Sequence, residues 1–391
     1  MTAKKTIYLD NSATTQVHPE VKETILPYLQ EQYGNPSSIH HKGAEAKEAI
    51  EDARKKVASL INAKPEEIIF TGSGTEGNNM ALKGIAFANK GRGKHIITTK
   101  IEHKSILNST NWLEEHGFKV TYLNVDEYGT IDTEQLKKEI RPDTILVSVM
   151  FANNEVGTIQ PIKEIGNILK EREGIYFHTD AVQAAGKLSL DVEELKVDLM
   201  TLSGHKMHTT KGVGAIYIRK GTDIEPILHG GGQENNLRSG TENVPEIVGM
   251  GKAAEIAENN QEKNREFLKS LEKKLREDLF SNIPDLMLNG HPEKRLPGNL
   301  NISFKYIEGE SIVLMLDEEG ICVSTGSACT SKSLKPSYVL EAMGKEPVFM
   351  HGSVRFSIST FNTQEDISTV IKTLPEIIKS LRNISPLYNK D

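Results

Sequence analysis

An apolar run, a small polar turn and a lysine follow one another near the middle of the chain: Leu199-Met200-Thr201-Leu202-Ser203-Gly204-His205-Lys206. The run has the length of a buried strand, so the turn places Lys206 at the strand's end. A partly desolvated lysine in such a position can lose its proton and form a Schiff base with a carbonyl group. We therefore take Lys206 as the first candidate for a reactive residue, because a surface lysine would not need this setting.

Upstream of this run, residues 175–180 read as another short strand, and this strand ends in Asp180. A carboxylate held at a pyridinium nitrogen keeps that nitrogen protonated, so that the ring of pyridoxal phosphate (PLP) can act as an electron sink. Taken alone, Asp180 is equally well explained as the N-cap of a helix. The order strand-Asp, then strand-Ser-x-His-Lys, is nevertheless the order that a PLP site needs.

Composition places the chain among ordinary globular proteins. It has 391 residues, of which 37% are hydrophobic, and a net charge of −7, so we expect about two domains and no nucleic acid partner. The two cysteines, Cys322 and Cys329, provide no disulfide framework, which is typical of a reducing, cytoplasmic setting. No apolar run approaches the ~18 residues of a membrane span, so we expect no membrane partner.

Strand-like and helix-like patterns alternate through the middle of the chain, which predicts an α/β fold with a mainly parallel sheet covered by helices. The predicted strands are residues 95–99, 119–125, 144–151, 175–180, 199–203 and 214–219. Ligands bind such sheets at the carboxyl ends of the strands.

A long polar helix is predicted over residues 244–278, and we place the change of domain within it. Residues 16–260 are expected to form the large PLP-binding domain. Residues 1–15 and 261–391 are expected to form a smaller α+β domain that carries Cys329.

Other polar residues follow predicted strands and so are further site candidates. The glycine turn around Gly74 and Thr75 opens a helix, where backbone N–H groups bind a phosphate well. Ser203 and His205 can also donate to a phosphate. His103 suits stacking on a flat ring or proton transfer, although a structural role is the more common one. Asn154 lies in a turn and suits a phenolic oxygen.

Cys329 is surrounded by small polar residues, which is typical of an accessible thiol and not of a core cysteine. Arg355 alternates with apolar neighbours in a predicted strand, and its planar group suits a two-point grip on a carboxylate. A surface salt bridge is the alternative for Arg355. The two cysteines lack the spacing of zinc ligands, so we expect no metal site.

Several long motifs resemble those of the cysteine desulfurases of the NifS/IscS type, within the PLP-dependent transferases of the aspartate aminotransferase-like fold. The motifs are residues 8–15, 34–40 and 230–234, together with Ser203-Gly204-His205-Lys206, Arg238-Ser239-Gly240-Thr241-Glu242-Asn243 and Gly326-Ser327-Ala328-Cys329-Thr330-Ser331. They occur in the family's order over nearly the whole chain, so the signal is specific.

The resemblance implies a role for each matching residue. Lys206 would bind PLP covalently, Cys329 would take the sulfur of L-cysteine as a persulfide and release L-alanine, and His103 would move protons. Arg355 and Asn154 would bind the substrate carboxylate. The residues that would hold the cofactor are Gly74, Thr75, His103, Asn154, Asp180, Gln183, Ser203, Gly204, His205, Lys206 and, from the neighbouring subunit of a homodimer, Thr241.

The resemblance further implies that the sulfur passes to an acceptor protein, such as a scaffold for iron–sulfur cluster assembly. It leaves Cys329 open as a transient iron–sulfur ligand. Two other enzymes remain alternatives: a selenocysteine lyase, or another class-V aminotransferase, which would not need Cys329. A silent scaffold is a third alternative, and it would need neither Lys206 nor Asp180.

Overall fold

The computed structural model describes residues 6–325 and 336–388, and Cys329 lies outside these described residues. The helices within them are Pro19–Gln30, His41–Leu60, Gly74–Asn79, Ile85–Ala88, Lys104–Glu115, Thr133–Glu139, Ile162–Lys170, Val192–Leu195, Val244–Asn282, Gly309–Glu318, Tyr338–Ala342, Pro347–Met350 and Gln364–Ile384. The strands are Ile7–Tyr8, Ile68–Thr71, His95–Thr99, Lys119–Leu123, Thr144–Ser148, Tyr176–Asp180, Leu199–Ser203, Gly214–Ile218, Leu286–Asn289, Asn299–Phe304, Ile321–Cys322 and Ser353–Ser357.

A seven-stranded sheet forms the centre of the larger part of the molecule. Its order is Ile68–Thr71, Gly214–Ile218, Leu199–Ser203, Tyr176–Asp180, Thr144–Ser148, His95–Thr99 and Lys119–Leu123. Only Gly214–Ile218 runs against its neighbours, and the other pairs in this sheet are parallel. The inner strands are buried on both faces, as expected when helices cover both sides. The predicted α/β fold is therefore confirmed.

The direction of these strands brings three polar turns to one edge of the sheet. Ile68–Thr71 is antiparallel to Gly214–Ile218, which is antiparallel to Leu199–Ser203, so the first and third of these strands point the same way. Tyr176–Asp180 is parallel to Leu199–Ser203. The turns that carry Thr75, Asp180 and Lys206 therefore follow strand ends on the same edge.

The long helix Val244–Asn282 packs against two hydrophobic cores. Residues from its first half, such as Ile247 and Ala254, belong to the core beneath the large sheet. Residues from its second half, such as Leu271 and Leu279, belong to a core that also contains Leu9. Each half thus stabilises a different core. The domain division at residues 15/16 and 260/261 stays a prediction.

The second core is built on a three-stranded antiparallel sheet, in which Asn299–Phe304 lies between Leu286–Asn289 and Ser353–Ser357. The amino-terminal strand Ile7–Tyr8 joins this part of the molecule by pairing with Ile321–Cys322. After this strand the chain passes directly to the edge of the large sheet, because Thr15 N donates to His205 O over 3.0 Å. Asn11 N also donates to Ser357 O over 3.2 Å, so residues from the first and the last parts of the chain meet near Lys206.

Candidate active site

A cavity of 330 Å³ lies at the carboxyl edge of the large sheet. Its volume is within the range of small-molecule sites. Ten of the predicted residues line it: Gly74, Thr75, His103, Asn154, Asp180, Gln183, Ser203, His205, Lys206 and Arg355. They come from six different stretches of the chain, so the fold alone brings them together.

Lys206 is the last residue of a short 3-10 turn, Gly204–Lys206, which follows directly on the strand that ends at Ser203. Its Nζ donates to Ser12 O and Ala13 O, each over 2.5 Å. The amino-terminal segment therefore holds the amine at the cavity. Gly204 does not line the cavity, but a Cβ at this position would lie 2.6 Å from Thr209 Cγ2, so the tight turn requires glycine.

Asp180 is buried at the end of its strand and is held by two hydrogen bonds. Asn78 Nδ2 donates to Asp180 Oδ2 over 2.7 Å, and Val182 N donates to Asp180 Oδ1 over 3.0 Å. Asn78 also donates to Ser105 Oγ over 2.8 Å, which joins Asp180 to the turn that carries His103. Sequence reasoning missed Asn78, although its position one helical turn after Gly74 was a usable signal.

The turn around Gly74 and Thr75 presents backbone N–H groups to the cavity. Ser73 caps the helix Gly74–Asn79 by accepting from Glu76 N over 3.1 Å. The first N–H groups of a helix have no partner inside it, so they are available to an anion. Ser203 and His205 line the same cavity. Burial, together with Lys206 and Lys211, lowers the pKa of His205 to about 4, so its imidazole is neutral at pH 7.

His103 caps the helix Lys104–Glu115 at the cavity wall. Its Nδ1 lies 2.8 Å from Ser105 Oγ and accepts from Ser105 N over 3.2 Å. Burial lowers the pKa of His103, although Asp180 acts in the opposite direction. The imidazole is therefore neutral near pH 7 and able to accept a proton.

Arg355 is buried, with 4% of its side chain exposed, and it reaches the cavity between two partners. Its Nη1 donates to Asn154 O over 3.0 Å, and its Nη2 donates to Asp10 Oδ1 over 2.7 Å. A guanidinium group has five N–H donors, so others remain for a ligand. Arg355, on the predicted polar face of the strand Ser353–Ser357, thus faces the site.

Two buried carboxyl groups lie beside the cavity, and sequence reasoning missed both. Burial raises the pKa of Glu102 to about 8 and that of Glu155 to about 7. Glu155 Oε2 accepts from Ser337 Oγ over 2.5 Å, and Tyr338 OH donates to Glu102 O over 2.7 Å. The chain just after residues 326–335 is therefore held by the residues next to His103 and Asn154.

Within the described part of the chain, Gly204 and Thr241 are the predicted site residues that do not line the cavity. Thr241 lines a separate 120 Å³ cavity with Arg238 and Glu242. Cys329 lies outside the described residues. The other cysteine, Cys322, is half-buried, and burial together with Asp317 raises the pKa of its thiol. A raised pKa makes Cys322 a poor source of thiolate.

The cavity walls fit a polar aromatic ligand such as PLP. Three lining residues carry a buried side-chain oxygen that has no hydrogen-bond partner among residues 6–325 and 336–388: Asn78 Oδ1, Asn154 Oδ1 and Gln183 Oε1. Such oxygens cost free energy unless a ligand or water donates to them. The same cavity holds the carboxyl group of Asp180, which suits a pyridine nitrogen, and the guanidinium group of Arg355, which suits the carboxylate of an amino acid.

Two negative findings concern the described part of the chain. It contains no group of three or more His, Cys, Asp or Glu side chains placed to hold a metal ion. Among its helices, none combines the length and the apolar character that a membrane crossing requires.

The sequence is similar to known proteins over its full length. The family model for class-V aminotransferases matches residues 7–370. A cysteine desulfurase IscS of Methanosarcina thermophila is 55% identical over 390 residues, which cover 100% of this chain and 96% of that protein. A cysteine desulfurase IscS of Dictyoglomus turgidum is 54% identical over 383 residues, which cover 98% and 97% of the two chains.

Solved structures agree with these relatives. A NifS-like protein superposes with a TM-score of 0.91 at 41% identity and covers 96% of this chain and 100% of its own. The structure of SspA in complex with cysteine has a TM-score of 0.80 at 36% identity and covers 92% of this chain and 100% of its own.

Proposed function

The chain belongs to the class-V aminotransferase family, and on that premise we propose that it takes sulfur from L-cysteine as a persulfide on Cys329. It is a cysteine desulfurase that depends on PLP, in line with its full-length relatives. The observation that supports the residue roles most strongly is the single cavity shared by Lys206, Asp180 and Arg355.

When bound, PLP supplies an electron sink for the removal of the substrate's α-proton. Lys206 would hold the cofactor through its aldehyde carbon, and Asp180, itself oriented by Asn78, would keep a proton on the ring nitrogen. His103 is neutral and would stack on the ring and exchange protons with the substrate. Asn154 and Gln183 would contact the ring hydroxyl. The phosphate would be held by Gly74, Thr75, Ser203, Gly204 and His205.

Arg355 would bind the substrate carboxylate through the N–H donors that Asn154 O and Asp10 do not use. Asp10 fixes the orientation of the guanidinium group, so a two-point contact needs little rearrangement. The Asn154 side chain, whose Oδ1 has no partner within the described residues, stands at the same wall. This arrangement favours an α-amino acid as the substrate.

Chain geometry supports Cys329 as the nucleophile. Ser324 pairs with Arg355, because Arg355 N donates to Ser324 O over 2.7 Å. Five residues of chain lead from Ser324 to Cys329, and a stretch of that length can span at most ~18 Å. The Cys329 thiolate would form the new S–S bond while the carbon–sulfur bond of the substrate breaks. The carbon that loses sulfur then takes up a proton, which gives L-alanine and a persulfide.

We place the reaction in a homodimer in the cytoplasm, where thiols stay reduced. Thr241 would reach the phosphate of the neighbouring subunit, since it lies apart from the cavity of its own chain. The exposed side chains of Leu29, Tyr33 and Ile39 are apolar surface that a second copy would cover. The persulfide sulfur would pass to an acceptor protein, such as an iron–sulfur scaffold.

The test compares alanine and sulfide released from L-cysteine by the wild type, Cys329→Ala and the control Cys322→Ala. We expect Cys329→Ala to lose at least 100-fold in alanine formation and Cys322→Ala to stay within a factor of about three. Equal alanine formation by Cys329→Ala would contradict the assigned nucleophile. Turnover of L-selenocysteine with little alanine from L-cysteine would indicate a selenocysteine lyase instead.

A further inference from the structure

A second cavity, of 380 Å³, adjoins the candidate active site, and the mechanism above does not use it. The long helix Val244–Asn282 forms one wall through Ala253, Ile256 and Leu268. Residues near both ends of the chain, including Thr15 and Phe361, form other parts of the lining. Lys206 lines both cavities, so the two adjoin at this residue. The volume suits a small organic molecule.

Lys187 is the main charged group of this second cavity. Its side chain is half-buried and lines the cavity. In the part of the chain that the structure describes, no side chain or carbonyl forms a hydrogen bond or ion pair with its amine. Burial, assisted by the nearby Arg355, lowers the pKa of Lys187 to about 8. The charged form therefore lacks the counter-charge that a buried ammonium group needs.

The other lining groups provide no such counter-charge. Glu20 is the carboxylate of the lining among the described residues, and it is exposed and pairs with Lys252 over 3.0 Å. His208 also lines the cavity, and burial lowers its pKa to about 4, so it is neutral at pH 7. In the PLP-loaded protein, in which Lys206 would be bound to the cofactor, an anionic ligand would thus meet one ammonium group of the described lining, that of Lys187, and no unpaired carboxylate.

The lining is mixed, and its apolar part fits a short hydrocarbon group. Ala253, Ile256 and Leu268 of the long helix stand together with Met207 and Phe361 around the cavity. Met207 is buried and Phe361 is exposed in part. Burial of several carbon atoms against these side chains would favour an organic ligand over an inorganic anion.

From this arrangement we propose that the second cavity binds a small organic monocarboxylate. Its carboxylate pairs with the Lys187 ammonium group, and its hydrocarbon part lies against Met207, Leu268 and Phe361. One negative charge matches the Lys187 ammonium group, because the other lysine of the lining, Lys206, would be bound to PLP, whereas a dicarboxylate would leave a buried charge unpaired. This site is distinct from the carboxylate grip of Arg355, and it does not depend on the desulfurase reaction.

The test is isothermal titration calorimetry of the PLP-loaded protein with isovalerate as the probe. All samples carry Arg355→Gln, which removes the active-site charge, so that this position does not add a second carboxylate site. In this background we expect one isovalerate per chain and at least tenfold weaker binding after Lys187→Met. Lys187→Arg restores the charge and should restore binding to within about threefold. The control Lys263→Met changes an exposed lysine of the long helix and should leave binding unchanged.

Two matched probes separate the parts of the proposal. The uncharged 3-methyl-1-butanol has the same hydrocarbon group and should bind at least tenfold more weakly, as should inorganic phosphate. Equal binding of the alcohol, or of isovalerate to Lys187→Met, would overturn the proposal, as would no binding of isovalerate at all. Thermal unfolding of each variant checks that it is folded. Binding is measured without turnover, so a failure to bind isovalerate would leave the proposed desulfurase activity unaffected. Loss of the proposed activity would likewise leave the binding result unaffected.

Discussion

Replacing Arg355 by lysine tests how the substrate carboxylate is held. The guanidinium group already donates to Asn154 O and to Asp10 Oδ1, and the proposed contact with L-cysteine uses two further N–H groups in parallel. Lysine keeps the charge but cannot offer two parallel donors in a plane. We therefore expect Arg355→Lys to lose one of the two hydrogen bonds to the carboxylate.

The size of the effect follows from the strength of that bond. A hydrogen bond to a charged group contributes about 1.5–3 kcal/mol, which corresponds to an increase in Kd of about 10- to 150-fold. The assay titrates PLP-loaded protein with L-cysteine and follows the cofactor absorbance, which gives Kd separately from the turnover rate. Arg265→Lys is the matched control, because the side chain of Arg265 is 39% exposed and pairs with Glu262 on the same helix face, away from the cavity.

L-Cysteine methyl ester provides a second control, because it lacks the carboxylate charge. Arg355→Lys should weaken binding of the ester by less than about threefold. The ester has no carboxylate charge, so the charge-assisted hydrogen bond that the substitution removes is absent from its complex with the wild type as well. A folded Arg355→Lys that binds L-cysteine within threefold of the wild type would refute the assignment. An equal loss for the acid and the ester would indicate that the substitution distorts the cavity instead.

Three further predictions concern residues in the cavity wall or beside it. Because burial lowers the pKa of His103, the acid limb of kcat/KM should have its midpoint below pH 6.5, and His103→Gln should abolish that limb in a pH–rate profile. Asn78→Ala removes the 2.7 Å bond to Asp180, so PLP should dissociate about tenfold more readily in equilibrium dialysis; unchanged retention would contradict this role. Ser337→Ala leaves Glu155 without its hydroxyl donor and should lower the free energy of unfolding by about 1–3 kcal/mol in urea titrations; an unchanged midpoint would show that this bond contributes little.

Much of the fold could be predicted from local pattern. The strand that ends at Asp180 and the strand that ends at Ser203 were recognisable because apolar runs stop at polar turns, and the structure places both next to each other in a mainly parallel sheet. The reversed strand Gly214–Ile218 could not be predicted in this way. Its direction depends on pairing with residues far along the chain, and the apolar pattern is the same for either direction.

Site residues that directly follow a strand could be predicted from the sequence. Residues whose role depends on hydrogen-bond partners far away in the sequence could not. Lys206 and Asp180 were expected at the sheet edge, and both line the cavity. The Lys206 amine donates hydrogen bonds to the backbone carbonyl oxygens of Ser12 and Ala13. Every residue has such a carbonyl group, so the sequence does not indicate these partners. Glu155 is similar, because its raised pKa results from burial that only the assembled fold creates.

The measurement that tests the central claim most directly is mass spectrometry of the purified protein after brief exposure to L-cysteine. Wild type and Cys329→Ala are digested without reductant, and alanine is quantified in the same samples. We predict a gain of ~32 Da, one sulfur atom, on the peptide that contains Cys329, with alanine formed in equal amount and neither product from Cys329→Ala. Alanine without added sulfur on Cys329, or sulfur added to Cys322 instead, would contradict the account.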